Sequence, residues 1–170
     1  MDSVNLNRRA FLKGRSPKYN PDAIYPPWSI EASRFVEKCE RCDKCIEACP
    51  GKILVCGDGG FPEVDFRRGE CTFCGDCVAA CEADAFNPGE HNESNAWSIL
   101  PRIANSCLSM NAITCRSCGD NCDVEAIRFH LQVGGIAIPV IDSDQCNGCG
   151  ACLYVCPENS VTMRRKPAST

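Results

Sequence analysis

The sequence predicts an α+β protein in which two small tandem domains follow an extended N-terminal arm. Two observations predict this fold class. Four similar cysteine-rich motifs recur along the 170 residues, and such recurrence indicates a repeated structural unit. Within each neighbouring pair of motifs, two short apolar runs flank adjacent glycines, which is the pattern of a β-hairpin. Each domain is therefore expected to combine a short hairpin with the short helices that end the motifs.

The motifs have the spacing of iron–sulfur ligands. Motif one reads CERCDKCIEACP (39–50), motif two CTFCGDCVAACE (71–82) and motif four CNGCGACLYVCP (146–157), while motif three, CLSMNAITCRSCGDNCD (107–123), is stretched near its start. Sixteen of the 17 cysteines belong to these motifs. C-x2-C-x2-C can wrap three irons of a cubane, and a cysteine after three further residues serves the neighbouring cluster. The spacing therefore predicts [4Fe-4S] clusters that come in pairs.

Two other uses of cysteine fit the motifs less well. Structural zinc takes C-x2-C as two-cysteine knuckles separated by a longer spacer, so a third cysteine at the same spacing would have no role in a tetrahedral site. A disulfide framework is typical of oxidising compartments, whereas no usable export signal is predicted for this chain. Iron–sulfur clusters are therefore the favoured interpretation.

Composition indicates a small acidic protein. The formal net charge is −4, and four oxidised clusters at about −2 each would take it to roughly −12. This balance argues against nucleic acid as a partner and for partners with a basic docking face. No apolar run is long enough to span a membrane, so no transmembrane segment is predicted. A domain of about 60 residues buries too little surface to be safely stable alone, and bound clusters are expected to stabilise it.

The first 38 residues are predicted to form the N-terminal arm. Residues 7–13 read NRRAFLK, which looks like the start of a twin-arginine export signal. Prolines and charges then interrupt the apolar stretch that a signal peptide needs, so a cytoplasmic protein is predicted. The alternative interpretation of the paired arginines is a solvated basic end. A Tyr25-Pro-Pro-Trp28 element should be extended, and residues 30–38 should form a short helix packed on the first domain.

The first domain is predicted to span residues 39–106 and the second residues 107–170. Residues 82–96 contain proline, glycine and several asparagines, so they are expected to form a loop between the motif pairs, with residues 97–103 returning as a strand. This break favours pairing motif one with two and motif three with four. A nested alternative, in which the outer motifs pair and the inner motifs pair, stays open because some four-cluster subunits use it.

The four motifs, the RRAFLKGR start, the PPWS element and the stretched third motif together resemble the NapF-type ferredoxin-like accessory proteins of periplasmic nitrate reductase systems. The resemblance covers nearly the whole chain. It implies two tandem bacterial two-[4Fe-4S] ferredoxin-like domains. It also implies a cytoplasmic protein whose partner is the catalytic molybdenum subunit of the reductase before export, with a redox donor as a further partner. Members of the family are thought to assist assembly of that subunit's own cluster.

The resemblance implies sixteen cluster ligands in four sets. Set A contains Cys39, Cys42, Cys45 and Cys81. Set B contains Cys71, Cys74, Cys77 and Cys49. Set C contains Cys107, Cys115, Cys118 and Cys156. Set D contains Cys146, Cys149, Cys152 and Cys122.

Two cysteines depart from the pattern. Cys107 precedes Cys115 by a seven-residue gap instead of the usual two, so set C is the least regular of the four. Cys56 belongs to no set and is expected to be a small buried or half-buried residue.

No catalytic residues are predicted, so an enzyme is not expected. His91 and His130 have no evident acid or nucleophile partner, and no phosphate-binding or flavin fingerprint occurs. Three classes of function stay open: a maturation factor for an exported reductase, a general soluble polyferredoxin that carries electrons to a reductase, and a structural metal protein without a redox role. The twin-arginine-like start, which a plain ferredoxin lacks, favours a maturation factor that acts through electron transfer or cluster assembly.

Overall fold

The computed structural model describes residue 20 and residues 22–166. The twin-arginine-like start lies outside these residues. The described part contains the α-helices α1 (Ala32–Lys38), α2 (Lys44–Ala48), α3 (Asp76–Ala79), α4 (Ser117–Asp120) and α5 (Ala151–Tyr154). It contains the strands β1 (Leu54–Cys56), β2 (Pro62–Val64), β3 (Ile99–Ile103), β4 (Ile127–Leu131), β5 (Ala137–Ile141) and β6 (Val161–Arg165). None of the helices in this part is long and apolar enough to cross a membrane.

Both predicted hairpins form. β1 pairs antiparallel with β2, with Cys56 opposite Pro62, and the turn between the strands includes a short 3-10 segment, Asp58–Gly60. β4 pairs antiparallel with β5, and the tip of this longer hairpin contains two glycines with positive φ. Each hairpin leads directly into the next motif, as the alternation of apolar runs and glycines indicates.

A third strand pair connects segments far apart in the sequence. β3 pairs antiparallel with β6 over their full lengths, from Ile99 opposite Arg165 to Ile103 opposite Val161. The sequence predicts a strand at β3, but at the end of the first domain. Because β3 pairs with the C-terminal strand, we describe the molecule as a first half (residues 22–98) and a second half (residues 99–166).

The segment that precedes motif one packs on the rest of the first half, as predicted. Tyr25 and Phe35 form a buried cluster with Ala85, and the two rings lie 4.6 Å apart at their centroids. Trp28 is only 2% exposed, and its indole nitrogen donates hydrogen bonds to the Asn92 carbonyl and the Asn95 side chain. The predicted loop 82–96 is thus held against this segment by apolar packing and hydrogen bonds.

The prediction of an extended PPW element is wrong at its end. Residues 27 and 28 form a turn, in which the Ser29 N–H donates to the Pro26 carbonyl at 3.3 Å and Trp28 has φ = 60°. The residue-before-proline rule constrains Tyr25 and Pro26 but not Trp28, and burial of the indole fixes the turn.

The two halves share a core. Ile53 and Phe66 from the first half pack with Ile99 and Met163 from the second, and all four are buried. The Arg165 guanidinium also donates a hydrogen bond to the Ala23 carbonyl at 2.9 Å. The halves are therefore held against each other by apolar burial as well as by the chain that links them.

Candidate iron–sulfur sites

Motifs one, two and four share a backbone conformation that turns three thiols toward one point. The residue just before the second cysteine has positive φ in each of them, as does the residue just after it. These residues are Arg41, Asp43, Phe73, Gly75, Gly148 and Gly150. Two left-handed residues fold the chain tightly, and the helices α2, α3 and α5 begin immediately afterwards. The third cysteine then projects from the first turn of a helix.

A left-handed turn follows the fourth cysteine in all four motifs. The third residue after it is left-handed each time, with φ of 51° at Lys52, 46° at Asp84, 49° at Glu125 and 50° at Asn159. This turn sends the chain away from the site while the cysteine stays beside the partner motif. None of the four residues is glycine, so the turn was not predicted from the sequence. The only signal in the sequence is that a polar residue, Lys, Asp, Glu or Asn, stands at this position in every motif. Of these, Asp and Asn are the types that adopt positive φ more often than other residues.

The thiols of set A lie together in the first half. Cys39, Cys42, Cys45 and Cys81 all line one hollow. Burial, followed by the nearby Cys39, Cys81 and Cys42 thiolates, raises the pKa of the Cys45 thiol to about 12. At the rim, Lys44 forms a 2.7 Å salt bridge with Glu82, and both side chains are largely solvated. Glu82, which stands where motifs one and four have proline, is thus a solvated surface acid.

The thiols of set B line a neighbouring hollow. Its lining includes Cys49, Cys71, Cys74 and Cys77, with Phe73 and Trp28 beside them. Burial, together with nearby thiolates that include Cys45 of set A, raises the pKa of Cys77 to about 12. The Phe73 N–H donates to the Cys71 sulfur at 3.4 Å. Sets A and B are therefore adjacent, and each takes its fourth thiol from the other motif.

The stretched third motif closes into a site of the same kind. Residues 108–111 form a 3-10 turn, and Ala112 follows with φ = 59°. The Asn111 side-chain amide ties this turn to the carbonyls of Asn105 and Cys107, at 2.7 and 2.8 Å. The extra residues are thus folded into a compact bulge, and Cys107 returns to line one hollow with Cys115, Cys118 and Cys156.

Serine hydroxyls contact the sulfurs of set C. Ser109, 2% exposed, places its hydroxyl 3.4 Å from the Cys107 sulfur, and the Ser117 hydroxyl lies 3.7 Å from the Cys115 sulfur. Burial and the Cys107, Cys115 and Cys156 thiolates raise the pKa of Cys118 to about 11. A buried hydroxyl beside a sulfur provides a hydrogen bond that can stabilise a thiolate ligand.

The thiols of set D lie next to those of set C. Burial, and then the Cys149, Cys146, Cys118 and Cys122 thiolates, raises the pKa of Cys152 to about 12. The neighbours of Cys152 thus include the other three members of set D and one member of set C. The Cys122 sulfur accepts a hydrogen bond from the Ala126 N–H at 3.3 Å. The structure therefore brings motif three together with motif four, as it brings motif one together with motif two.

All 17 cysteines lie in the described part of the chain, and all are free thiols. Among the residues from 22 to 166, no three His, Cys, Asp or Glu side chains are placed to hold a single metal ion. In sets A, B and C, four thiols instead line one hollow, and the thiols of set D lie close to one another. Four thiols suit a polynuclear cluster with one thiolate for each iron. The prediction for Cys56 is wrong, because this thiol is exposed at the end of β1. Its neighbours in the short hairpin leave it facing solvent.

Four groups of four thiols on two similar α+β halves define an iron–sulfur protein of the ferredoxin type. The chain matches the 4Fe-4S dicluster domain family twice, over residues 38–109 and 112–160. It is 49% identical to the ferredoxin-type protein NapF of Haemophilus influenzae, with 96% of each chain covered. It is 41% identical to NapF of Escherichia coli K12, with 94% of each covered. The chain belongs to the NapF family of ferredoxin-type proteins, and its two dicluster domains carry about four [4Fe-4S] clusters.

A more distant relative extends the comparison. The methylamine utilization ferredoxin-type protein MauM of Methylorubrum extorquens is 30% identical over 96% of this chain and 81% of its own length. Similar chains therefore occur also among ferredoxin-type proteins whose name refers to methylamine utilization.

Proposed function

We propose that this protein is an iron–sulfur accessory factor of a periplasmic nitrate reductase system. It would act in the cytoplasm on the catalytic molybdenum subunit before that subunit is exported. The observation that carries the proposal is similarity to NapF proteins along almost the full length of both chains. The chain would work by electron transfer or by cluster assembly and would not be an enzyme in its own right.

We assign one [4Fe-4S] cluster to each of the sets A, B, C and D. When bound, each cluster supplies a centre that gains or loses one electron. The protein's part is to supply four thiolates, to hold them at fixed positions and to limit water around them. In the cluster-free chain, burial raises the pKa of Cys71 to about 12. Such thiols are neutral at pH 7, so loading of a cluster must displace their protons.

The contacts of the two histidines in the described part of the chain support the proposal that the protein is not an enzyme. The His91 ring packs edge-on against Trp28 at 5.2 Å between centroids, and its Nε2 lies 2.9 Å from the Asn87 carbonyl oxygen. His130 lies in β4 with Ile138 opposite. Neither environment pairs the imidazole with a nucleophile or an acid, which supports a binding and redox role over substrate chemistry.

The N-terminal arm is proposed to bind the client subunit or its export machinery. Arg8 and Arg9 can pair with carboxylates as planar forks, and Phe11 and Leu12 can serve as apolar anchors. These residues lie outside the described part of the chain. Binding through the arm should be separable from cluster loading, because every proposed ligand lies between Cys39 and Cys156.

A pull-down from the cytoplasm of nitrate-grown cells tests the proposal. The loaded full chain should capture the molybdenum subunit in its unexported form. Deleting residues 1–15, or changing Arg8 and Arg9 to alanine, should leave the iron content unchanged but weaken capture and lower nitrate reductase activity in cells. A matched control changes Arg67 and Arg68, two exposed arginines beside Asp65, and should preserve capture. Undiminished capture and activity in the deletion variant would count against a dedicated factor, and processed protein in the periplasm would overturn the cytoplasmic assignment.

A general soluble polyferredoxin is the second candidate, and the similarity to MauM favours it because that name refers to a different process. A general carrier needs an exposed route to its clusters but no specific client. It should therefore reduce unrelated acceptors as fast as the reductase subunit, and loss of the arm should not matter. Equal rates with and without residues 1–15 would favour this candidate.

A further inference from the structure

Sets B and D meet where the two halves join. The Cys71 N–H of motif two donates a hydrogen bond to the Cys149 carbonyl of motif four at 2.8 Å. Both residues are proposed cluster ligands, so this hydrogen bond links two ligand loops directly. The Cys149 thiolate is also among the charges near Cys71. The two sets of thiols are therefore neighbours, although 75 positions separate motif two from motif four.

Apolar side chains enclose this meeting point. The Phe66 ring from the first half packs against Gly150 of motif four so closely that a methyl group on Gly150 would overlap the ring. Trp97 lies edge-on to Phe66 at 5.6 Å and to Phe73 at 5.9 Å between ring centroids. Phe73 sits between two proposed ligands of set B. These rings pack around residues adjacent to the Cys71–Cys149 hydrogen bond, and close packing of this kind holds the two ligand loops at a fixed separation.

We propose that the Cys71–Cys149 contact is a conducting junction that joins the halves into one electron relay ordered A, B, D, C. The A–B step is supported by the hollow of set B, which Cys49 of motif one lines together with the thiols of motif two. The C–D step is supported by the hollow of set C, which Cys156 of motif four lines together with the thiols of motif three. The spatial order thus differs from the order of the motifs in the sequence, and the stretched third motif provides one end of the relay. This inference rests on the ligand assignment of the proposed function.

Each step of the relay transfers one electron. With clusters bound by the four sets, one cluster would be oxidised as its neighbour is reduced, and no bond would be formed or broken. A low-potential one-electron donor protein would reduce a cluster at one end, and a one-electron acceptor protein would oxidise the cluster at the other. Sets A and C are the ends, so they are the sites where partners should exchange electrons. Sets B and D are interior and should exchange electrons mainly with their neighbours.

Variants that retain two clusters test the order. Cys42→Ala with Cys115→Ala should keep clusters in B and D, whereas Cys74→Ala with Cys115→Ala should keep clusters in A and D. After dithionite reduction, the EPR spectrum of the B–D variant should show splitting or broadening from spin–spin interaction. The A–D variant should give close to the sum of two isolated signals. With about eight irons present in both, isolated signals from the B–D variant would overturn the relay. Absence of iron from the unsubstituted chain would overturn the proposed ligand assignment instead.

Substitution of two glycines provides a matched test of the junction in the chain that keeps all sixteen ligands. This test applies even if the two-cluster variants do not fold. Gly75 and Gly150 occupy the same position in their motifs, with φ of 81° and 89°, but a methyl group on Gly75 would meet no atom within 4 Å. Alanine imposes the same backbone strain at both positions and disturbs the junction only at Gly150. Gly150→Ala should weaken the interaction between the halves in the EPR spectrum more than Gly75→Ala does, and adding Phe66→Leu should restore part of it. Equal effects of the two alanine substitutions would contradict the junction.

Discussion

The core of the first half is built largely from buried aromatic side chains, whereas no aromatic side chain is fully buried in the described part of the second half. Tyr25, Trp28, Phe35, Phe61 and Phe66 are all buried in the first half. In the described part of the second half, the buried apolar residues other than proline and glycine are Ile99, Ala126, Ile127, Ala151, Cys152, Val161 and Met163. Aromatic residues bury the most surface per side chain. Motifs one and two in the first half are therefore supported by a larger core than motifs three and four in the second half.

The second half also presents apolar side chains to solvent. Leu131 is 82% exposed and Val133 is 99% exposed, both at the tip of the β4–β5 hairpin. The small core of this half, built around Ile127, Cys152 and Val161, is surrounded by the thiols of sets C and D. A core that consists partly of ligands depends on its ligands being occupied. We infer that clusters contribute more to the stability of the second half than to that of the first.

Removing the clusters should have the largest effect and should reveal this difference. Chelation of iron in air should unfold the chain, because metal binding free energy is folding free energy in domains this small. During partial removal, protease cleavage should begin in the second half, near the β4–β5 hairpin, before it reaches the first half. Circular dichroism and limited proteolysis with mass spectrometry measure this, with chelator-free protein under nitrogen as the control. A spectrum and a cleavage pattern that persist after complete iron removal would show that the side-chain cores are sufficient.

A ligand substitution should have the next largest effect, confined to one site. Cys107→Ser should lose about four of about 16 irons, because set C would lack its fourth thiolate. Cys56→Ser is the matched control, because this exposed thiol belongs to no set, and it should lose none. Iron analysis under nitrogen compares the two variants. An unchanged iron content in Cys107→Ser would remove Cys107 from set C.

Core substitutions should have smaller effects that differ between the halves. Phe35→Ala removes a ring that is 1% exposed, so it should lower the free energy of unfolding by about 3–5 kcal/mol. Phe129→Ala removes a half-buried ring that lies under the Arg116 guanidinium, and it should cost about 1–2 kcal/mol. Urea unfolding of the loaded protein, followed by circular dichroism, measures both. A larger loss from Phe129→Ala would reverse the comparison between the halves.

The local features of the fold were predictable from the sequence because local patterns specify them. Cysteine spacing identified the motifs, and glycines between apolar runs identified the hairpins. The β3–β6 pair was not predictable, since its strands are about 60 residues apart and the turn signal between them belongs to the β4–β5 hairpin. The left-handed residues Arg41 and Phe73 were also missed, because residues of these types rarely signal positive φ. The route of Cys107 to set C depends on hydrogen bonds of Asn111 that no spacing rule describes.

Iron and acid-labile sulfide analysis of the anaerobically purified full chain tests the central claim most directly. If sets A to D each hold a cubane, the chain should contain about 16 irons and about 16 sulfides. EPR after dithionite reduction should then show interacting [4Fe-4S] clusters. A stoichiometry of about eight irons, or tightly bound zinc in place of iron, would contradict four cubanes on sixteen cysteines.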